Sequence, residues 1–279
     1  MDRLEAHRKW FAQLITANAG VPPTEQKLID AFASTPRERF VGTGPWRVFT
    51  RIGYVQTPSD DPALLYQDIT VALKSEGQIN NGQPTLHAVC LAALAVQAGE
   101  TIVHVGAGSG YYSALLAKLT GPTGAVFAYE IEEDLAERAR ENLAELPQVR
   151  VHPRSGTDGP LPECDVVYVN AGATDPVDAW LDCLRPGGRL LFPLAPPQGA
   201  GAMLLVKRTA ANNFAARFVC GAMFIPCVGA CDDETAQKLS EAFKRGDMAK
   251  VQSLRRDASP DETSWCAGRS WWLSTSPAG

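Results

Sequence analysis

Between residues 101 and 194, short apolar runs alternate with longer amphipathic stretches. Residues 101–105, 125–130, 149–152, 165–170 and 188–194 are rich in β-branched and other apolar side chains and predict strands. Segments near 111–119, 132–146 and 176–184 predict helices between them. Strands alternating with helices imply a doubly wound, mostly parallel sheet with helices on both faces. Upstream, residues 2–35 read as helical, with a break at Val21-Pro-Pro23 and Thr24 as the N-cap of the second helix. A short helical turn is expected over 36–41. Residues 43–83 have no strong period and carry loop signals such as Asn80-Asn-Gly82. An apolar helix is expected over 84–96, and 201–208 with 214–225 predict a closing hairpin. Over 234–256, Ala236, Leu239, Phe243, Met248, Val251 and Leu254 fit one broad helical face, weakened in its middle by Gly246. Trp265, Trp271 and Trp272 require a packing partner. The chain thus divides into 1–83 with N-terminal helices and a loop, 84–232 as the core of alternating strands and helices, and 233–279 as a helical extension.

The most informative segment is Thr101-Ile-Val-His-Val-Gly-Ala-Gly-Ser-Gly-Tyr-Tyr112, a strand, a glycine turn and the start of a helix. Glycine lets the backbone approach a ligand closely, and the first turn of a helix presents unpaired N–H groups there. Glu130 closes the next strand about 20 positions later, where a carboxylate accepts ribose hydroxyls in nucleotide-binding sheets. It also suits the start of the following helix, with Glu132, Glu133 and Asp134. A dinucleotide site asks for glycine or alanine where this chain has Tyr111, which favours a smaller adenosine ligand over a nicotinamide cofactor.

Composition narrows the partners. A net charge of −5 provides no basic field for nucleic acid or anionic lipid, and no apolar run approaches the roughly 20 residues of a membrane span. The charged N-terminus lacks the apolar core of a signal peptide. Seven scattered cysteines without a C-x-x-C pair, and four histidines without a ligand cluster, suggest a reduced, cytoplasmic protein with no structural metal.

Six ordered motifs resemble the protein-L-isoaspartate O-methyltransferase family, whose members are class I methyltransferases using S-adenosylmethionine. Ala31-Phe-Ala-Ser-Thr-Pro-Arg-Glu-Arg-Phe-Val41 is similar to the family's A-F-x-x-V-P-R-E-x-F-V, and Tyr66-Gln-Asp68 to its Y-x-D. Gly77-Gln78 and Gln83-Pro84 bracket the substrate loop, and Val105–Tyr111 resembles I-G-x-G-S-G-Y. Leu184-Arg-Pro-Gly-Gly-Arg-Leu-Leu-Phe-Pro193 and Phe224-Ile-Pro-Cys-Val-Gly229 resemble the closing motifs. The resemblance implies a seven-stranded Rossmann-like sheet and methyl transfer to a carboxylate of a protein or peptide. It implies cofactor contacts from Gly106, Ala107, Gly108, Ser109, Tyr111, Glu130, Ile131, Ser155, Gly156, Thr157 and Asn170. Acceptor contacts are implied at Asn80, Gln83, Pro84, Ile225 and Pro226, with Asn81 and Gly82 beside the reacting methyl.

Three departures qualify the resemblance. The family's acidic residue before the glycine turn is His104 here, with a strand histidine packed under the neighbouring helix as the simplest alternative to a functional role. The aspartate that reaches the adenine amino group is replaced by Ser155, with Asp158 as a substitute or a solvated turn residue. The serine of the family's S-Q-P is Gly82, and one extra residue between Gln78 and Pro84 lets Asn81 offer an amide instead. A carboxylate acceptor, with a pKa near 4, is already an anion and needs no general base. A phenolic acceptor needs one, and His87 is the histidine nearest in sequence. Two further readings therefore stay open: the same fold with a different, small-molecule acceptor, and a cofactor-binding module that has lost catalysis.

Overall fold

The computed structural model describes residues 2–74, 79–256 and 259–278. The elements run α1 (Arg3–Asn18), α2 (Gln26–Ala33), β1 (Arg47–Thr50), β2 (Gly53–Gln56), α3 (Pro84–Leu94), β3 (Thr101–Val105), α4 (Tyr111–Thr120) and β4 (Ala125–Tyr129). They continue with α5 (Glu133–Asn142), β5 (Val149–His152), β6 (Cys164–Val169), α6 (Asp178–Asp182), β7 (Leu184–Leu194), β8 (Gly201–Arg208) and β9 (Phe214–Ala222). The last are α7 (Asp233–Arg245), β10 (Ser253–Arg255), β11 (Ser264–Ala267) and β12 (Trp272–Ser274). Every strand and helix expected between 101 and 225 is present. The chain gathers into two compact units, one of residues 1–99 with 107–153, the other of 100–106 with 154–279.

In the first unit, α1 and α2 bury Phe11, Ile15, Leu28 and Phe32, and Phe11 meets Phe32 edge to face at 6.4 Å. The N-cap of α2 is Glu25, not Thr24, and no side chain caps it. A 3₁₀ turn at Arg37–Arg39 follows, and its Arg37 is wholly buried. One guanidinium nitrogen donates to the carbonyls of Leu65 and Gln67 and the other to that of Ile69 at 2.9 Å. The cation is thus spread over three carbonyls and sits over the rings of Phe11 and Tyr111. β1 and β2 form an antiparallel hairpin within the stretch expected to be loop. Its strands are four residues long and half-exposed, so they leave no alternating pattern to detect. β4 and β5 pair in parallel, Val126 opposite Val149, and α4 is buried along nearly its whole length.

The second unit holds β3, β6 and β7 in parallel, with Val103 opposite Val167 and Val167 opposite Leu190. β7, β8 and β9 then turn antiparallel, as the expected hairpin requires. Strands β3 to β9 make up the seven implied by the resemblance. The C-terminal segment departs from the helical extension expected. α7, capped by Asp232 accepting from the amide of Thr235 at 2.9 Å, ends at Arg245 because Gly246 takes φ +84° and Asp247 φ +62°. Met248 lies in a 3₁₀ turn and Leu254 in β10, opposite Phe214 of β9. β10, β12 and β11 continue the sheet antiparallel from β9, so the apparent helical period past Gly246 joined two different elements. Trp265, Trp271 and Trp272 are all buried by this packing, Trp265 edge-on to Phe218 and Phe243. Among the described residues no helix is long and apolar enough to cross a membrane.

Candidate active site

In the first unit the glycine turn enters α4 through Gly110, at φ +97°, where a Cβ would stand 2.8 Å from Cδ1 of Leu143. Gly110 is therefore the close-packing glycine, which leaves room for Tyr111 after it. The Ala107 amide donates to the Tyr129 carbonyl at 3.1 Å. The Glu130 carboxylate accepts from the amides of Gly108 (2.6 Å) and Glu132 (3.0 Å). Burial raises its carboxyl above the ordinary range, and the amides of Glu132, Gly108 and Ile131 oppose the rise. A carboxylate has about four acceptor positions, so the turn it closes does not use them all. Ile131, beside it, is 48% exposed, an apolar side chain left on the surface. The Ser109 hydroxyl is committed to the Phe40 carbonyl, and Tyr111 is buried edge-on to Phe40 and Tyr112.

The loop before α3 belongs to the same unit. Asp68 of the Y-x-D motif accepts from the Thr85 amide (2.8 Å) and the Gln83 side chain (2.9 Å), which fixes the start of the Pro84 helix. Asn80 Oδ1 accepts from the Gly82 amide at 2.9 Å. Asn81 exchanges two bonds with Val71: its amide donates to the Val71 carbonyl at 3.0 Å, and its Oδ1 accepts from the Val71 amide at 2.8 Å. Asn81 is 7% exposed and its Nδ2 has no partner. Gly82 has φ +70°, and a Cβ there would lie 2.1 Å from Nε2 of His87. His87 is buried and stacked on Tyr112, with ring centroids 3.5 Å apart. The position that resembles the family's serine is thus turned against an imidazole. Gly77 and Gln78, the other bracket of this loop, lie outside the described residues.

In the second unit His104 is wholly buried on β3, stacked on Tyr168, and burial pushes its pKa down to about 3. Its neutral Nε2 accepts from Asn170 Nδ2 at 2.8 Å. That orientation leaves Asn170 Oδ1 buried and without a partner at the end of β6. The Ser155 hydroxyl accepts from the Thr157 amide at 3.1 Å and pairs with the Thr157 hydroxyl, closing a small turn. Gly156 packs where a Cβ would meet Val105 at 2.6 Å, and its carbonyl accepts from the Trp180 indole. Asp158 is exposed. Gly172 and the 225–227 segment exchange backbone bonds of 2.7 Å, which present Ile225 and Pro226 at the surface with Met223 and Val228.

The matching family model is that of the protein-L-isoaspartate(D-aspartate) O-methyltransferases, over residues 14–232. The chain belongs to this family. It is 33% identical over 212 residues to protein-L-isoaspartate O-methyltransferase 2 of Anaeromyxobacter sp., covering 74% of this chain and 77% of the relative. Against the protein-L-isoaspartate O-methyltransferase of Brucella anthropi it is 29% identical over 210 residues, 74% of this chain and 87% of the relative. A solved protein-L-isoaspartate O-methyltransferase superposes with a TM-score of 0.66 at 22% identity, covering 85% of this chain and 69% of that one, and so shares its fold. Three residues of this family member escape the sequence as structural supports of the site: Arg37, Asp68 and His87. The first two lie inside family motifs, but no spacing reveals their partners, which are backbone groups and, for Asp68, also the Gln83 side chain. His87 reads from the sequence as a histidine of the apolar 84–96 helix, but its stack on Tyr112 does not.

Proposed function

We propose that this protein transfers a methyl group from S-adenosylmethionine to the side-chain carboxylate of an isoaspartyl residue in a protein or peptide, in the cytoplasm. Family membership across 14–232, which includes every site residue named above, carries this reading. Seven scattered cysteines without a C-x-x-C pair favour a reducing compartment. In this reading residues 84–232 hold the cofactor, 1–83 bring the acceptor loop, and 233–279 extend the fold.

The residues suit the cofactor. Asn170 Oδ1 is an orphaned acceptor for an ammonium, Glu130 has acceptor positions left for ribose hydroxyls, and exposed Ile131 offers an apolar face to a purine. The amides of the glycine turn, with Gly106, Ala107 and Gly108, approach the ligand as backbone, while Ser155, Gly156 and Thr157 form the adenine-side turn. Ser109 and Tyr111 act by holding the turn in place. When bound, S-adenosylmethionine supplies an electrophilic methyl on a sulfonium. The acceptor is an anion at neutral pH, so the chain's work is alignment and removal of water, effects worth on the order of 7–11 kcal/mol when geometry is good. Asn81 Nδ2 is the donor that holds the acceptor carboxylate. Gln83 and Pro84 frame that loop with Asn80, and Ile225 and Pro226 receive the flanking peptide. Gly82 contributes conformation and no contact atom.

Two substitutions test these roles. Glu130→Gln keeps the side chain's size but loses the charge that receives hydroxyl donors, each such bond being worth roughly 1.5–3 kcal/mol. Calorimetry with S-adenosylhomocysteine is expected to show Kd raised about tenfold or more, and an unchanged Kd contradicts the assignment. Asn81→Asp preserves the bond to Val71 but replaces the free donor by a negative charge. Its kcat/KM for an isoaspartyl peptide is expected to fall roughly a hundredfold with cofactor affinity intact. Unchanged turnover removes Asn81 from the acceptor site.

A further inference from the structure

We propose that Cys164 and Cys183 are a site of reversible oxidation, closing to a disulfide when a hydroperoxide reaches Cys183, and that closure loosens the turn at 155–157. Cys164 opens β6 and Cys183 precedes β7, and the Cys164 amide donates to the Cys183 carbonyl at 2.9 Å. This pairing sets the two sulfurs 3.6 Å apart, both as free thiols. Exposure assigns their parts. Cys183 is 8% exposed and meets the oxidant, whereas Cys164 is 0% exposed and resolves.

The hydrogen bonds agree. The Cys183 thiol donates to the Trp180 carbonyl at 3.4 Å, which leaves the Cys164 thiol as the donor in the contact between the two sulfurs. The bond from Cys164 holds the Cys183 thiol below its ordinary range against the effect of burial, and the same bond with burial holds Cys164 above it. The Cys183 thiolate attacks the near oxygen of the hydroperoxide. The O–O bond breaks, the distal oxygen leaves as alkoxide or hydroxide and takes a proton, and Cys183 becomes a sulfenic acid. The Cys164 sulfur then attacks the Cys183 sulfur, the S–O bond breaks, and the Cys164 proton leaves with the hydroxide as water. A low-molecular-weight thiol reverses the bond by exchange.

Closure has a structural consequence. A disulfide needs about 2.05 Å between sulfurs, so the pair must draw together and the bond to the Trp180 carbonyl is lost. Trp180 is wholly buried on α6, and its indole donates to the Gly156 carbonyl at 2.8 Å. Gly156 in turn is packed hard against Val105. A shift of α6 is therefore felt in the turn that, on the reading given under Proposed function, holds the cofactor's adenine.

The test uses the full chain, treated with hydrogen peroxide, alkylated and digested without reduction. Mass spectrometry is expected to find the Cys164 and Cys183 peptides joined and lighter by two hydrogens, and to find Cys183 as a trapped sulfenic acid in Cys164→Ser. Calorimetry is expected to show S-adenosylhomocysteine bound roughly three- to tenfold more weakly by the oxidised protein, about the worth of one hydrogen bond, with dithiothreitol restoring the affinity. Cys183→Ser should lose both effects. Alkylation of both thiols at peroxide levels that already oxidise Cys231 overturns the site, and a linked pair with unchanged Kd overturns the coupling. Failure of the untreated protein to bind S-adenosylhomocysteine counts against the cofactor reading instead, since the linkage is mapped without it.

Discussion

Gly82→Ser is expected to lower both stability and isoaspartyl methylation, although it restores the residue that resembles the family's S-Q-P. The serine would have to adopt φ +70°, a left-handed conformation costing a non-glycine residue about 1–2 kcal/mol. Its Cβ would stand 2.1 Å from Nε2 of His87, so the imidazole must leave its stack on Tyr112. Overpacking of this kind costs roughly 1–3 kcal/mol. The two together are about 2–5 kcal/mol, a large fraction of the stability of an ordinary domain. Thermal unfolding of the variant should show the loss, and the double variant Gly82→Ser/His87→Ala should recover the part due to the clash. A stable Gly82→Ser with raised isoaspartyl turnover contradicts this geometry.

Arg37→Met is expected to cost about as much, by a different route. The guanidinium is wholly buried, and it satisfies the carbonyls of Leu65, Gln67 and Ile69. Methionine fills part of the volume and leaves those acceptors unpaired, at roughly 1–3 kcal/mol each, offset where water enters. A net loss of about 3–5 kcal/mol matches what removal of one member of a buried charged network costs elsewhere. The same turn carries Asp68, which fixes Gln83 and the start of α3. Circular dichroism should therefore report a Tm lower by roughly 10 °C, and any folded fraction should show a raised KM for the acceptor peptide with normal cofactor affinity. A Tm within a degree or two of the parent protein would mean that Arg37 is dispensable to the turn.

Most strands and helices from 101 to 225 were legible because they are periodic or continuously apolar runs, and the short β5 and α6 fall within the strand–helix alternation that those runs set. The β1–β2 hairpin was not, because four-residue half-exposed strands carry no alternation. The C-terminal segment misled in another way: Ala236, Leu239 and Phe243 belong to a helix, while Leu254 keeps the same spacing by chance on β10. At the candidate site, motif spacing marked the glycine turn, Glu130 and the loop before α3. It did not disclose which polar atoms were already engaged. Ser109 and Ser155 look like ligands in the sequence, yet the Ser155 hydroxyl closes a local turn and that of Ser109 is committed to the distant Phe40 carbonyl. Asn81 and Asn170 carry the same side chain as Asn80, yet each keeps one buried polar atom without a partner. Such distinctions depend on where backbone carbonyls and amides fall, which only the folded chain fixes.

The most direct measurement pairs the protein with S-adenosylmethionine labelled in its methyl group and two peptides identical except for a normal or an isoaspartyl linkage at one position. Base-labile label is expected on the isoaspartyl peptide and little on the other, with loss of that label in Asn81→Asp. Tight binding of S-adenosylhomocysteine with no label on either peptide would contradict the isoaspartyl reading and leave a protein of this fold with another acceptor or none.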